Sequence, residues 1–138
     1  MKTYFKTIHL ETEGFADLIN ITNQIEAFIE EVEEKNGLLT AIIPGATGAI
    51  TAIEYESGLI EDFQQLLEQM IPEGKAYEHN KRWGDGNGFS HLRASLIGPS
   101  LSVPFKDRRP VLGTWQQIIF CDFDNRKRSR QIVLQILT

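Results

Sequence analysis

Two of the chain's three histidines, His79 and His91, flank a polar stretch, Asn80-Lys-Arg-Trp-Gly-Asp-Gly-Asn-Gly88, with three alternating glycines. Two neutral imidazoles together with a carboxylate or a water suit zinc or another first-row divalent ion. Asp85 within the stretch, or Glu54 outside it, can supply the carboxylate. The plainer alternative is a pair of hydrogen-bonded surface histidines. A calcium loop fails on spacing: with Gly88 as its obligatory glycine, Trp83 and Ala94 fall on ligand positions, and neither binds calcium. Gly84, Gly86 and Gly88 could offer backbone N–H groups to a phosphate. They lack the strand-to-helix grammar of a dinucleotide site, so turn flexibility accounts for them equally well.

Other residues carry weaker signals. Gly45-Ala46-Thr47-Gly48 is a small-residue turn where a ligand could approach the backbone, with a hydroxyl at Thr47. Glu54 at a strand end is a carboxylate ligand or base, against the alternative of simple solvation. Trp115 and Gln116 put an aromatic beside an amide, against core packing. Cys121 follows Ile118-Ile119-Phe120 and reads as a small buried thiol, with no basic neighbour to activate it. The basic run Arg126-Lys127-Arg128 with Arg130 follows two aspartates and reads as a solvated hairpin tip.

The elements that would position these groups are legible in the periodicity. Residues 3–10 alternate as a strand, and Ile21, Ile25, Phe28, Ile29 and Val32 form one helical stripe stopped at Asn36-Gly37. Strands follow at 38–43 and 47–54. Leu59, Ile60, Phe63, Leu66, Leu67, Met70 and Ile71 then mark a second helix, with Glu61 and Asp62 in its first turn and Pro72 at its stop. Residues 77–88 read as a long functional loop that folds His79 back toward His91, and 91–96 as a short helical piece. Strands at 101–105, 111–120 and 131–137 complete an α+β pattern with two main helices.

The length of 138 residues and the absence of a composition shift give a single domain, 1–138. An apolar fraction of 41% and a charged fraction of 24% are ordinary for a folded protein. The single cysteine excludes an intrachain disulfide framework. A net charge of −5 argues against nucleic acid as a partner. No stretch has the length of a membrane span or the zones of a signal peptide, which points to the cytoplasm.

Taken together, Tyr77-x-His79, Ser90-His91-Leu92-Arg93-Ala94-Ser95-Leu96-Ile97-Gly98-Pro99-Ser100-Leu101 and Leu112-Gly113-Thr114-Trp115-Gln116-Gln117-Ile118 resemble the YjbQ-like family, also labelled secondary thiamine-phosphate synthase. The family's first-motif histidine falls on Gly45, and the 82–88 insert resembles an archaeal-type branch. The resemblance implies a mixed two-sheet β-sandwich with flanking helices, a homotrimer with sites near subunit boundaries, and a phosphorylated small molecule as ligand. It also implies condensation of a pyrimidine methyl diphosphate with a thiazole phosphate, releasing pyrophosphate. On that reading His79 and His91 hold a divalent metal ion (zinc, magnesium or manganese) with Glu54 or Asp85. Arg93 and the loop around Gly86 bind phosphate, Asn87 and Gln116 orient the substrate, and Trp83 or Trp115 stacks on its ring. The alternative is a non-catalytic trimeric module that binds a metal or a phosphometabolite.

Overall fold

The computed structural model describes residues 1–138 as eight strands and four helices. The first strand, β1 (Thr3–Thr12), pairs with the last, β8 (Arg128–Leu137), in register from Thr3↔Leu137 to Thr12↔Arg128. With β3 (Gly37–Ile42), β5 (Ser100–Lys106) and the short β6 (Arg109–Pro110), they form a sheet in the order β1-β8-β3-β5-β6. A smaller sheet has the order β2-β7-β4, from β2 (Asp17–Asn20), β7 (Gln116–Asp122) and β4 (Gly48–Glu54). Every pairing is antiparallel. The helices are α1 (Thr22–Glu31), α2 (Ser57–Met70), α3 (Glu78–Trp83) and α4 (Gly88–Ile97).

Residues 118–121 are continuously apolar because β7 is the middle strand of its sheet and is covered on both faces. Successive side chains on a strand point to opposite sides. Ile118 and Phe120 accordingly enter the main core with Ile132, Leu134 and Ile136 of β8, where α1 adds Ile25, Phe28 and Ile29. Ile119 and Cys121 face the other way, into a second core with Leu67 of α2 and Ala94 of α4. The larger sheet thus packs on the smaller one, and α2 and α4 cover the smaller sheet's far face. Gly48 permits this close packing, since a Cβ there would lie 2.7 Å from the Phe120 ring.

Several local expectations change. The segment 77–88 contains a helix, α3, and the piece expected at 91–96 is a ten-residue helix. The strand expected at 111–120 begins only at Gln116, because Gln116 N–H closes a turn on Gly113 O at 3.0 Å. Helix α2 starts earlier, at Ser57, so Glu61 and Asp62 lie beyond its first turn. Its cap is Glu56, which accepts from the N–H groups of Gly58 and Leu59 at 2.8 and 2.9 Å.

The largest correction concerns the basic run. Residues 123–127 do not form a hairpin: β7 belongs to the smaller sheet and β8 to the larger, so the chain crosses between sheets there. Asp122 and Asp124 are fully buried at the crossing. Arg130 donates to Asp122 at 2.7 and 2.9 Å and to Thr47 Oγ1 at 2.7 Å, while Arg128 lies 3.0 Å from Asp124. Thr12 of β1 donates to Asp122 at 2.6 Å. Two buried carboxylates require opposite charge and donors, and that requirement draws two arginines out of the expected solvated tip.

Removing one partner of such a buried group should be costly. Asp122→Ala is expected to lose about 3 kcal/mol in urea unfolding, by removing the bidentate partner of Arg130 and leaving it only Thr47 and the more distant Asp124. Burial pushes the Asp124 pKa up, but hydrogen bonds from Arg128 and Thr47 outweigh this and hold it below the ordinary aspartate value. A depressed folded pKa gives stabilisation that is present above the unfolded value of about 3.9 and lost as pH falls through the folded one. Stability should therefore decline below about pH 4, and Asp124→Asn should flatten that limb of the urea-midpoint profile.

Candidate functional site

The histidine pair is set by a helical corner. Tyr77, buried at the start of α3, donates its hydroxyl to Pro72 O at 2.6 Å and ties the corner to the end of α2. Burial raises the Tyr77 pKa, so the hydroxyl stays a donor. Gly84 ends α3 in the left-handed region, φ 67°, with its N–H on Asn80 O at 2.8 Å. Asp85 Oδ1 accepts from Asn87 N–H at 3.1 Å across Gly86, itself at φ 67°. Helix α4 then starts at Gly88, whose N–H donates to Asn80 Oδ1 at 2.8 Å. A Cβ on Gly88 would sit 2.7 Å from Tyr77 Cβ, so a glycine is what lets α3 and α4 meet this closely.

The corner brings His79 of α3 and His91 of α4 together with ring centroids 4.5 Å apart. One ligand atom from each of His79, Asp85 and His91 lies within 4.8 Å of the others. His79 Nδ1 is 3.4 Å from Asp85 Oδ1 without hydrogen-bond geometry, and it is buried with no partner. A buried ring nitrogen left without a donor or acceptor, beside a carboxylate and a second imidazole, fits a first-row divalent cation. Asp85 and both histidines are partly open to solvent.

Residues beyond His79, Asp85 and His91 hold the corner in place, and periodicity gave no sign of them. Asn125 Nδ2 donates to Asp85 O at 2.7 Å, and Asn125 N–H donates to Asn87 Oδ1 at 3.2 Å. Ser90, fully buried, places its hydroxyl against Asn87 Oδ1 and against Phe123 O at 2.5 Å. Asn87 is thus a buried structural residue of the corner, where substrate orientation was expected.

The other expected site residues lie elsewhere. Arg93 is 2% exposed, and its guanidinium donates to Ile71 O at 3.0 and 2.8 Å and to Glu68 at 2.8 Å, above the Phe89 ring. Those partners engage Nε and Nη2, and Nη1 faces the Glu73 carboxylate at 3.9 Å, so two glutamates crowd the guanidinium where a phosphate clamp was expected. Thr47 is also buried and bonded, giving its hydroxyl to Asp124 at 3.0 Å. Glu54, Trp115 and Gln116 sit at the opposite end of the small sheet, where Glu54 pairs with Gln116. The length of β7, about 20 Å, separates them from the corner, so within one chain they cannot share a small ligand with His79. At Gly45, the position of the family histidine, the nearest group to an added Cβ is Arg130 Nη1 at 3.5 Å. Burial pushes the Cys121 thiol up to about 12, far from thiolate chemistry.

An antiparallel two-sheet sandwich with helices on the smaller sheet and a histidine corner defines the class of domain. The model of the family described as UPF0047 protein YjbQ-like matches residues 6–138. A UPF0047 protein of Archaeoglobus fulgidus is 38% identical over 128 residues, covering 93% of this chain and 97% of that protein. The Bacillus subtilis UPF0047 protein YugU is 31% identical, covering 96% and 98%. A crystal structure of a YbjQ-like protein of unknown function from Sulfolobus solfataricus superposes with a TM-score of 0.92 at 32% identity, covering 98% of this chain and 96% of that one. The chain belongs to the YjbQ-like UPF0047 family.

If Arg93 is a structural strut, Arg93→Ala should lower stability by about 1–3 kcal/mol, the cost of an unpaired buried carbonyl and lost packing. The response to added zinc, measured by isothermal titration, should match that of the wild type. A loss of metal or phosphate affinity without a loss of stability would return Arg93 to the ligand-binding set.

Proposed function

We propose that this domain is a metal-dependent enzyme acting on a phosphorylated small molecule at the α3–α4 corner. The observation that carries the reading is the partnerless, buried His79 Nδ1 beside Asp85 and His91. His79, Asp85 and His91 would hold zinc, manganese or magnesium, with the imidazoles favouring zinc. The ion would supply positive charge to offset that of a phosphate or diphosphate. The chain's own contribution is to hold the two imidazoles and the carboxylate in a fixed triangle. The exposed ring of Trp83, at the end of α3, is available to an aromatic part of the substrate. Joining a pyrimidine methyl diphosphate to a thiazole phosphate, with release of pyrophosphate, is the transfer the family resemblance favours.

Exposed Leu66 and Met70 on α2, with Leu92 and Leu96 on α4, support assembly into a homotrimer through the helical face. The buried state of Arg93 favours a second reading, a non-catalytic module that binds the metal or a phosphometabolite, because the corner then lacks its expected phosphate clamp.

Metal content of tag-free protein, measured by mass spectrometry, tests the first step. Near-stoichiometric zinc or manganese is expected in the wild type and its loss in His79→Ala/His91→Ala, with the oligomer unchanged by light scattering. No uptake after incubation with zinc, manganese and magnesium would reject the metal centre. Pyrophosphate release from the pyrimidine diphosphate and thiazole phosphate should fall about 10²–10³-fold in His79→Ala. Metal bound without turnover would favour the binding module.

A further inference from the structure

The end of the small sheet farthest from the histidines carries a feature of its own. Trp115 is 74% exposed. Its exposure does not come from a loose loop. The turn Gly113–Gln116 is closed twice, by Gln116 N–H on Gly113 O and by Gly113 N–H on Gln116 Oε1, each at 3.0 Å. The next residue, Gln117, accepts from Asn20 Nδ2 of β2 at 3.1 Å. The backbone around Trp115 is therefore held on both sides while the indole projects outward.

Two clefts meet at this indole, with volumes of about 390 and 370 Å³, and both are lined by Glu54, Thr114 and Trp115. The first also contains Tyr55 and Glu56. The Tyr55 hydroxyl donates to Leu18 O at 2.7 Å, which fixes the ring at the cleft wall. No lysine, arginine or histidine lines either cleft. Glu56 is held by the first N–H groups of α2, Gly58 foremost, and these keep its pKa below the ordinary glutamate value. It therefore contributes a fixed negative charge over the neutral range. Glu54 has no hydrogen-bond or ion-pair partner within the chain, and its carboxylate is open toward both clefts.

An indole face attracts positive charge, tryptophan most strongly among the aromatic side chains, and a free carboxylate lining the same clefts adds to that attraction. The Thr114 hydroxyl, which lines both clefts, adds a directional contact. A phosphate or carboxylate ligand is disfavoured there by the two glutamates and the absence of a cationic side chain.

We propose that Trp115, Tyr55 and Glu54 form a second ligand site, separate from the histidine corner, that receives a small organic cation such as a quaternary ammonium or protonated amine group. The positive group lies on the Trp115 face, with Glu54 beside it. This site needs no metal, so it stands or falls independently of the histidine centre.

Choline and its neutral carbon isostere, 3,3-dimethylbutan-1-ol, are the probes. Each is titrated into the full chain while amide and indole N–H signals are followed by NMR. The expected result is saturable shifts from choline at the Trp115 indole and at residues 54–56 and 114–117, with His79 and His91 unmoved. Trp115→Ala should abolish these shifts. Glu54→Gln should weaken binding about two- to fivefold, the scale of one exposed cation contact, and the neutral isostere should bind more weakly by a similar factor. Trp115 and Glu54 are both exposed, and an unchanged spectrum for the rest of the chain will show that the variants fold. Equal binding of choline and the isostere, or of wild type and Trp115→Ala, would overturn the proposal. So would the absence of saturable shifts at these residues, as expected if another protomer covers Trp115.

Discussion

Asp122 and Asp124 enter the interior completely, and the rest of the structure is arranged around that fact. Taking two carboxylates out of water is expensive unless charge and hydrogen bonds meet them inside. Arg130 and Arg128 from β8 supply the charge, while Thr12 from β1 and Thr47 beside β4 supply hydroxyls. The contacts join the two sheets where the chain passes from one to the other, and they bind the first strand to the last. Close packing of the apolar core limits how the sheets can shift, and the directional bonds of this cluster add a second constraint on their register.

The histidine corner depends on the same crossing. Phe123 and Asn125 flank Asp124, and they reach out to Ser90, Asn87 and Asp85. Asp85 owes its position to a backbone carbonyl held by Asn125 and to its own bond with Asn87. His79 and His91 ride on two helices whose approach is set by Gly88 and Asn80. A site built in this way is more rigid than the mobile loop that a glycine-rich stretch brings to mind. The glycines at 84 and 86 take up left-handed backbone at the ends of short rigid pieces.

The two ends of the small sheet present opposite chemistry. One end carries imidazoles suited to a cation that in turn attracts phosphate. The other carries an exposed indole with free carboxylate charge. The length of β7 keeps them apart within a protomer.

Elements with a strong repeat were legible in the residues themselves. The stripes of α1 and α2 and the alternation of β1 and β8 depend on local side-chain direction, which follows from helix and strand geometry alone. The likeness of His79, His91 and the Gly113–Gln117 motif to a known family was also available without coordinates. Beyond reach were β2, only four residues long, and α3, whose polar residues carry no apolar repeat. Local pattern also put Arg130 in solvent, Arg93 on a phosphate and Asn87 on a substrate. Arg93 and Asn87 are buried and Arg130 half-buried instead, because each partner comes from a distant segment: Asp122 for Arg130 across the strand crossing, Ile71 O for Arg93, Asn125 for Asn87. The sequence by itself determined the strongly periodic elements and the donor types. Tertiary structure decided which donors were consumed inside and which remained open to a ligand, because a polar group's role depends on partners that local periodicity does not encode.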